Sequence, residues 1–346
     1  MRNILKAATL ESKFPVLSVE RGCILSKDAD VTVGFKVRLP ELFTLTSAEY
    51  AAMHGAWVKA IKVLPCYTVV HRQDWFLEEK YRAVTGRDDM GFLDRSFELH
   101  FNERPFLNHY AYLFITRTTR ERSLQQSNFS ILCRGAIIPR EARDREAVVR
   151  FMESVDQFER IMGDSGLVGL ERLTTDEIVG TGKKAGIIEK YFSLSLHTLS
   201  DADDLPAAVR TDGRFEKYST DRSDCRLSFA APVGLMLSHN HIYNQYVFMD
   251  DPADTLQRLE KTARNMQSLS RYSRANQINR QWIEEYLNEA HSFGLIPVRC
   301  HCNVMSWADS RERLRNVKND TGSALAQMGC KPRYNTVDAP TLYWAG

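Results

Sequence analysis

Glycine and lysine stand together at Gly180-Thr181-Gly182-Lys183-Lys184-Ala185-Gly186, the combination with which a backbone loop cradles phosphates. That chemistry requires a glycine five positions ahead of the Gly-Lys pair, and a serine or threonine after the lysine to hold magnesium. Those places are Glu177 and Lys184, so the stretch reads as a flexible basic turn. His239 and His241 are two apart, which in an extended strand sends both imidazoles to one face, as two metal ligands would need. No carboxylate or third histidine supports them nearby, and surface or packing histidines are the competing account. Cys300-His301-Cys302 resembles a metal-binding string, but strand alternation turns His301 away from the two thiols, which suits small buried residues. Neither a Gly-x-Ser-x-Gly elbow nor a local cysteine-nucleophile signature occurs. No catalytic, cofactor-binding or metal-binding residue is therefore assigned.

One charge pattern departs from the rest of the chain. Between Lys261 and Ile283 stand five basic residues, Lys261, Arg264, Arg271, Arg274 and Arg280, with no acidic residue among them. Such a run would neutralise the phosphates of DNA or meet an acidic protein partner. It would equally serve as a solvated helix face that balances acids elsewhere in the fold.

These residues need elements to hold them. Two extended runs between Leu17 and Leu39, separated by Lys27-Asp28-Ala29-Asp30, predict a hairpin. Ser47 opens a helix with Tyr50, Met53, Trp57, Ile61 and Leu64 near a 3.6 period, ended by Pro65. A strand follows over 67–76, then a helix near 92–101. Tyr110 to Ile115 is apolar on both alternating faces, the pattern of a central strand. A helix over about 143–162 ends at Gly163, Gly166 and Gly169, which mark an internal boundary. In the second half, strands are predicted at 189–195, 226–237, 242–249 and 297–305. Helices are predicted after Asp251-Pro252, around Ile278 to Ala290 with Gly294 as its stop, and over about 309–327. Hairpins mixed with helices predict an α+β fold of two subdomains, 1–165 and 166–346, each of mostly antiparallel sheet packed with helices.

At 346 residues with 43% hydrophobic and 26% charged residues, the chain has the composition of an ordinary globular protein, large enough for two such units. A net charge of +2 selects no partner. No run of about 18 apolar residues is present to span a bilayer. The amino terminus lacks a signal-peptide core, and the seven cysteines follow no framework spacing, which points to an intracellular chain with reduced thiols. The closing run Thr341-Leu342-Tyr343-Trp344-Ala345-Gly346 is apolar and aromatic without a polar tail, and reads as a junction to further folded protein.

The strings MRNILKAATLESKFP at the start, AIKVLP at 60–65, QDWF at 73–76, HFNERPFLNH at 100–109 and VKNDTGSALAQMGCKPRYNTVDAPTLYWAG at the end resemble the amino-terminal region of the conjugative-transposon TraG family. The resemblance runs along essentially the whole chain. It implies the amino-terminal part of a large cytoplasmic ATPase of a type IV secretion, or conjugation, apparatus, with a RecA-like motor to follow. None of that motor's ATP- or magnesium-binding residues falls within these 346, so ATP and magnesium are expected only in the motor. The implied role is a non-catalytic assembly and docking module, cytoplasmic and peripheral to the inner membrane. Its implied partners are other channel proteins, its own motor domain and further copies of itself. The alternative, resting on the basic run, is a nucleic-acid-binding module that guides the transferred strand.

Overall fold

The computed structural model describes residues 14–41, 44–81, 91–118, 144–194, 207–211, 237–270, 272–308, 310–327 and 332–334. Its frame is one ten-stranded sheet in which every neighbouring pair is antiparallel. The first strands are β1 (Val16–Glu20), β2 (Cys23–Ser26) and β3 (Val31–Arg38). Where one hairpin is predicted, two form, because Arg21 and Gly22 both take positive φ (51° and 75°) and fold the first run back on itself. The Gly22 amide then donates to Thr175 Oγ1 at 3.0 Å.

Helix α1 (Ser47–Lys62) is capped by Thr46 rather than by Ser47. The Thr46 hydroxyl accepts from the Glu49 amide while the Glu49 carboxylate reaches back to the Thr46 amide, so two otherwise orphaned groups satisfy each other. Strand β4 (Thr68–Lys80), helix α2 (Phe92–Glu103) and strand β5 (Pro105–Arg117) form one long excursion, β4 and β5 pairing along all thirteen residues. Helix α3 (Arg145–Asp164) follows, and then β6 (Gly169–Arg172) returns to the outer edge of β3. That edge is shared, with β2 on residues 31–33 and β6 on residues 35–38.

Short elements come next: α4 (Thr175–Val179), the two-residue strands β7 (Gly180–Thr181) and β8 (Lys184–Ala185), and α5 (Ile187–Ser193). The predicted strand over 189–195 is thus a helix through Ser193. Ile187 and Tyr191, four residues apart, are both buried, and that spacing shares a helical face. After β9 (Ala207–Thr211), strand β10 (His241–Met249) enters the sheet beside β4. The strand predicted at 226–237 falls outside the described residues except for Leu237. Helix α6 (Pro252–Leu269) begins at the Asp251 cap, and α7 (Arg274–Phe293) ends at Gly294 in the left-handed region. Strands β11 (Arg299–Ser306) and β12 (Pro332–Tyr334) flank helix α8 (Arg311–Gln327) in sequence.

The sheet order is β1-β2-β3-β5-β4-β10-β11-β9-β12. The fold is α+β, but the predicted halves do not carry separate sheets. The boundary near 165 falls in the turn after α3, yet β6 pairs with β3 and β10 with β4 across it. The reason is hydrophobic continuity. Val70, Leu113 and Ile115 from the first half and Val247 and Met249 from the second line one sheet face, under α1 and α3. Trp57 and Phe158 meet edge-on there at 5.8 Å. On the opposite face Trp75, Tyr112, Ile242 and Met305 pack beneath Ile187 and Tyr191 of α5. Fully burying one such large apolar side chain is worth about 1.5–3 kcal/mol, so neither half has a complete core without the other. Among the described residues no helix is long and apolar enough to cross a membrane.

Candidate functional site

The middle of the sheet is polar where a core is usually apolar. On the α1/α3 face, Arg72 Nη2 donates to Asp74 Oδ1 at 2.8 Å, and His109 Nε2 donates to the same oxygen at 2.8 Å. Arg72 and Asp74 are 1% and 0% exposed. The Phe76 ring is sandwiched between His109 (4.3 Å, 3°) and His241 (4.6 Å, 9°). His241 Nδ1 donates to the His239 carbonyl at 2.7 Å, so Nε2 carries the lone pair and, among the described residues, has no partner. Burial holds the His241 imidazole down to about 4, with the Asp74 carboxylate and the His109 ring pulling in opposite directions.

The other face carries a ladder across three strands. His71 Nε2 donates to Asn244 Oδ1 at 2.9 Å, and Asn244 Nδ2 donates to Asn303 Oδ1 at 2.9 Å. Burial keeps His71 neutral, its value lowered to about 4. Beside it a cleft of about 220 Å³ is walled by Phe14, Trp75, Phe114, Ile187 and Tyr191, with His71 and Gln73 among its lining. The two systems lie on opposite sheet faces, so no reacting atom can be shared between them. Among the described residues, no group of three His, Cys, Asp or Glu side chains is placed to hold a metal ion.

The residues singled out in the sequence are distributed as follows. The glycine-lysine stretch is a tight turn joining β7 and β8. Its end glycines are there for space. A Cβ on Gly186 would stand 2.3 Å from the Val179 carbonyl carbon, and one on Gly180 would stand 2.5 Å from the Gly186 nitrogen. His239 and His241 do come together, rings 5.7 Å apart, but His239 precedes the strand and its Nε2 meets Thr321 Oγ1 of α8 at 3.3 Å. Strand β11 alternates as predicted. Cys302 is buried, burial pushes the Cys300 thiol up to about 11, and His301 lies on the face of Tyr246.

The described residues of the basic run fall on one pair of helices. Helices α6 and α7 pack on each other as a hairpin, with Lys261 and Arg264 on α6 and Arg274 and Arg280 on α7. Arg271 falls outside the described residues. Arg280 pairs with Glu284 at 2.7 Å, and Arg274 Nη1 donates to Gln277 Oε1 at 3.2 Å. Between the helices Tyr272 is 86% exposed. Sequence reasoning passed over it. Its signal was a tyrosine in the polar turn Ser270-Arg271-Tyr272-Ser273, where no core could reach it.

A second exposed feature was also missed. β4 and β5 continue past both neighbours, since β10 stops at Phe76 and β3 at Ala111. Beyond both neighbours, Leu77–Lys80 of β4 pair with Pro105–Asn108 of β5, four residues of each strand or about 14 Å at 3.4 Å per residue, and form an arm. Helix α2 at its end buries no residue. Phe92, Leu93 and Phe97 are 83%, 79% and 64% exposed, the Phe97 ring meets Phe101 at 4.5 Å with the planes tilted by 59°, and Tyr81 donates to Glu98 at 3.0 Å. The sequence predicted the helix but gave no reason to doubt that its apolar residues met a core.

A family model described as "Domain of unknown function, B. Theta Gene description (DUF3875)" matches residues 3–55, a span that takes in β1 to β3 and the first part of α1. No curated protein matches the chain.

Proposed function

We propose that this chain is the non-catalytic assembly and docking module of a conjugation ATPase of the TraG family, linking the ATPase motor to the DNA-transfer channel. The observation that carries this reading is the aromatic arm. A helix that leaves Phe92, Leu93 and Phe97 in solvent at the end of a two-stranded extension contributes nothing to its own core, and exposed apolar clusters of this kind mark contact surfaces. The resemblance of five strings along the chain supplies the setting. The connectivity supports a coupling role, because the arm leaves the sheet at the Lys80 end of β4, whereas the α6–α7 hairpin leaves at the opposite end, beyond Met249. The module would sit on the cytoplasmic side of the inner membrane and contact channel proteins, its motor and further copies of itself. ATP and magnesium would belong to the motor.

The test is a photo-crosslinking amino acid in place of Phe97 in conjugating cells. A cross-link to another protein of the transfer apparatus, with none from the same group at Lys183, is the expected result. An uncrosslinked chain, in cells that transfer DNA normally, would overturn the reading. Calorimetric titration with Mg-ATP is expected to show no heat, and turnover lost on Lys183→Ala would equally overturn it.

A second reading, a module that handles nucleic acid, is favoured by one observation. The stretch of the hairpin that carries Lys261, Arg264 and Arg274 contains no carboxylate.

A further inference from the structure

We infer that the tip of the α6–α7 hairpin binds single-stranded nucleic acid, with a base stacked on Tyr272 and phosphates held by Lys261, Arg264 and Arg274. This rests on the second reading above and gives it a residue-level form. The acidic residues of the hairpin are Asp254 and Glu260 on α6 and Glu284, Glu285 and Glu289 on α7, and Glu260, directly before Lys261, lies 3.7 Å from His291. The stretch from Lys261 to Ile283 that includes the turn therefore holds basic residues and no carboxylate, whereas both signs, Arg258 included, occur along the rest of the two helices. Among the described residues no carboxylate pairs with Lys261, Arg264 or Arg274, so their charge is available to a ligand. Toward the turn their exposed neighbours include Asn265, Gln267, Ser268 and Gln277, groups that accept and donate without adding charge, while Glu260 borders Lys261 on the other side.

Tyr272 decides the kind of polyanion. It is 86% exposed, and its amide donates to the Leu269 carbonyl at 3.1 Å, so the turn fixes the backbone that presents it. A tyrosine at a helix junction with no core to fill offers a flat ring on which an unpaired base can stack. Stacking of this kind adds about 1–3 kcal/mol per base and is independent of base identity. A duplex keeps its bases stacked on one another and gains nothing from the ring. An anionic bilayer would need a broad apolar face, and among the described residues of the tip the exposed large apolar side chains are Tyr272 and Leu269.

The experiment is fluorescence anisotropy of the full chain with a labelled oligothymidine of about 20 nucleotides, and with a duplex of equal length, across about 50–200 mM salt. Single-strand affinity should fall on a log–log plot with a slope near −2, about −0.7 for each of three neutralised phosphates. Lys261→Glu with Arg264→Glu should flatten that slope. Tyr272→Ala should weaken single-strand binding about 5- to 150-fold with an unchanged melting temperature, while Tyr272→Phe should bind as the parent does. Single- and double-stranded DNA bound equally, with Tyr272→Ala silent, would overturn the stacking site yet leave a nucleic-acid module standing. No oligonucleotide binding at the lowest salt would overturn both. Displacement by poly-glutamate at equal charge would assign the tip to an acidic protein and likewise overturn the proposal.

Discussion

His241 and His71 make the stability of this fold depend on acid. Each ring protonates near 6.5 in an unfolded chain but only near 4 in the folded one, because burial opposes the charge. Between those values the unfolded state holds more protons, so stability falls as the pH drops through this window, by up to about 2–3 kcal/mol for each ring. Urea unfolding at pH 7 and pH 5 should show the loss, and His241→Gln should reduce it. Equal pH dependence in the two proteins would mean that His241 is not held neutral. Asp74 behaves differently, since it sits in a buried pair. Asp74→Ala leaves Arg72 charged and enclosed, and should cost about 3–5 kcal/mol, whereas Arg72→Met with Asp74→Leu should cost clearly less. Denaturation midpoints of the three proteins would decide it. None of this was legible in the sequence. Arg72 and Asp74 fall within a strand predicted over 67–76, and only the pairing of β4 with β5 and β10 shows that the sheet interior encloses them.

At the scale of elements, the β7–β8 turn shows where local pattern succeeds and where it fails. Glycine and lysine content marked a turn, and a turn between β7 and β8 forms there. It could not show that Gly186 is sterically required, because the atoms that crowd it, in Val179 and Gly180, are brought there by the chain reversal. Gly186→Ala should therefore cost about 1–3 kcal/mol by overpacking against backbone. Gly182→Ala, with open space around the added carbon, should stay within about 0.5 kcal/mol. Thermal unfolding of both variants checks the contrast. Helices α1, α3, α6 and α7 were legible because an apolar stripe, a cap or a stop is written locally, as with Asp251 and Gly294, although the cap of α1 is Thr46, one residue before the Ser47 read from the sequence. α5 was not, since seven residues carry too few turns to separate its period from strand alternation.

For the whole molecule, the arrangement of strands overrides the two-part organisation that composition suggests. Residues 1–165 alone would expose the edge of β4 and the apolar Val70 beside it. That fragment should unfold without cooperativity and aggregate, while mixing it with 166–346 should restore a cooperative transition. A sharp, reversible melt of the isolated fragment would show that the halves fold independently. The candidate sites belong to this scale as well. The basic run was visible in the sequence, but its position on a projecting hairpin, away from the aromatic arm, follows only from β10 running antiparallel to β4. Tyr272 and Phe97 could not be distinguished from core residues by type, because only the fold shows which aromatic side chains are left exposed.

The pairing of β4 with β10 also has a consequence in time. At about 5–20 residues per second, the ribosome finishes β4 roughly 10–30 s before β10 exists. Throughout that interval the newly made β4–β5 ribbon carries a bare edge beside β4, open to any other extended chain. Birth of this protein therefore includes a waiting period in which the strand that later becomes the centre of the sheet is still an edge.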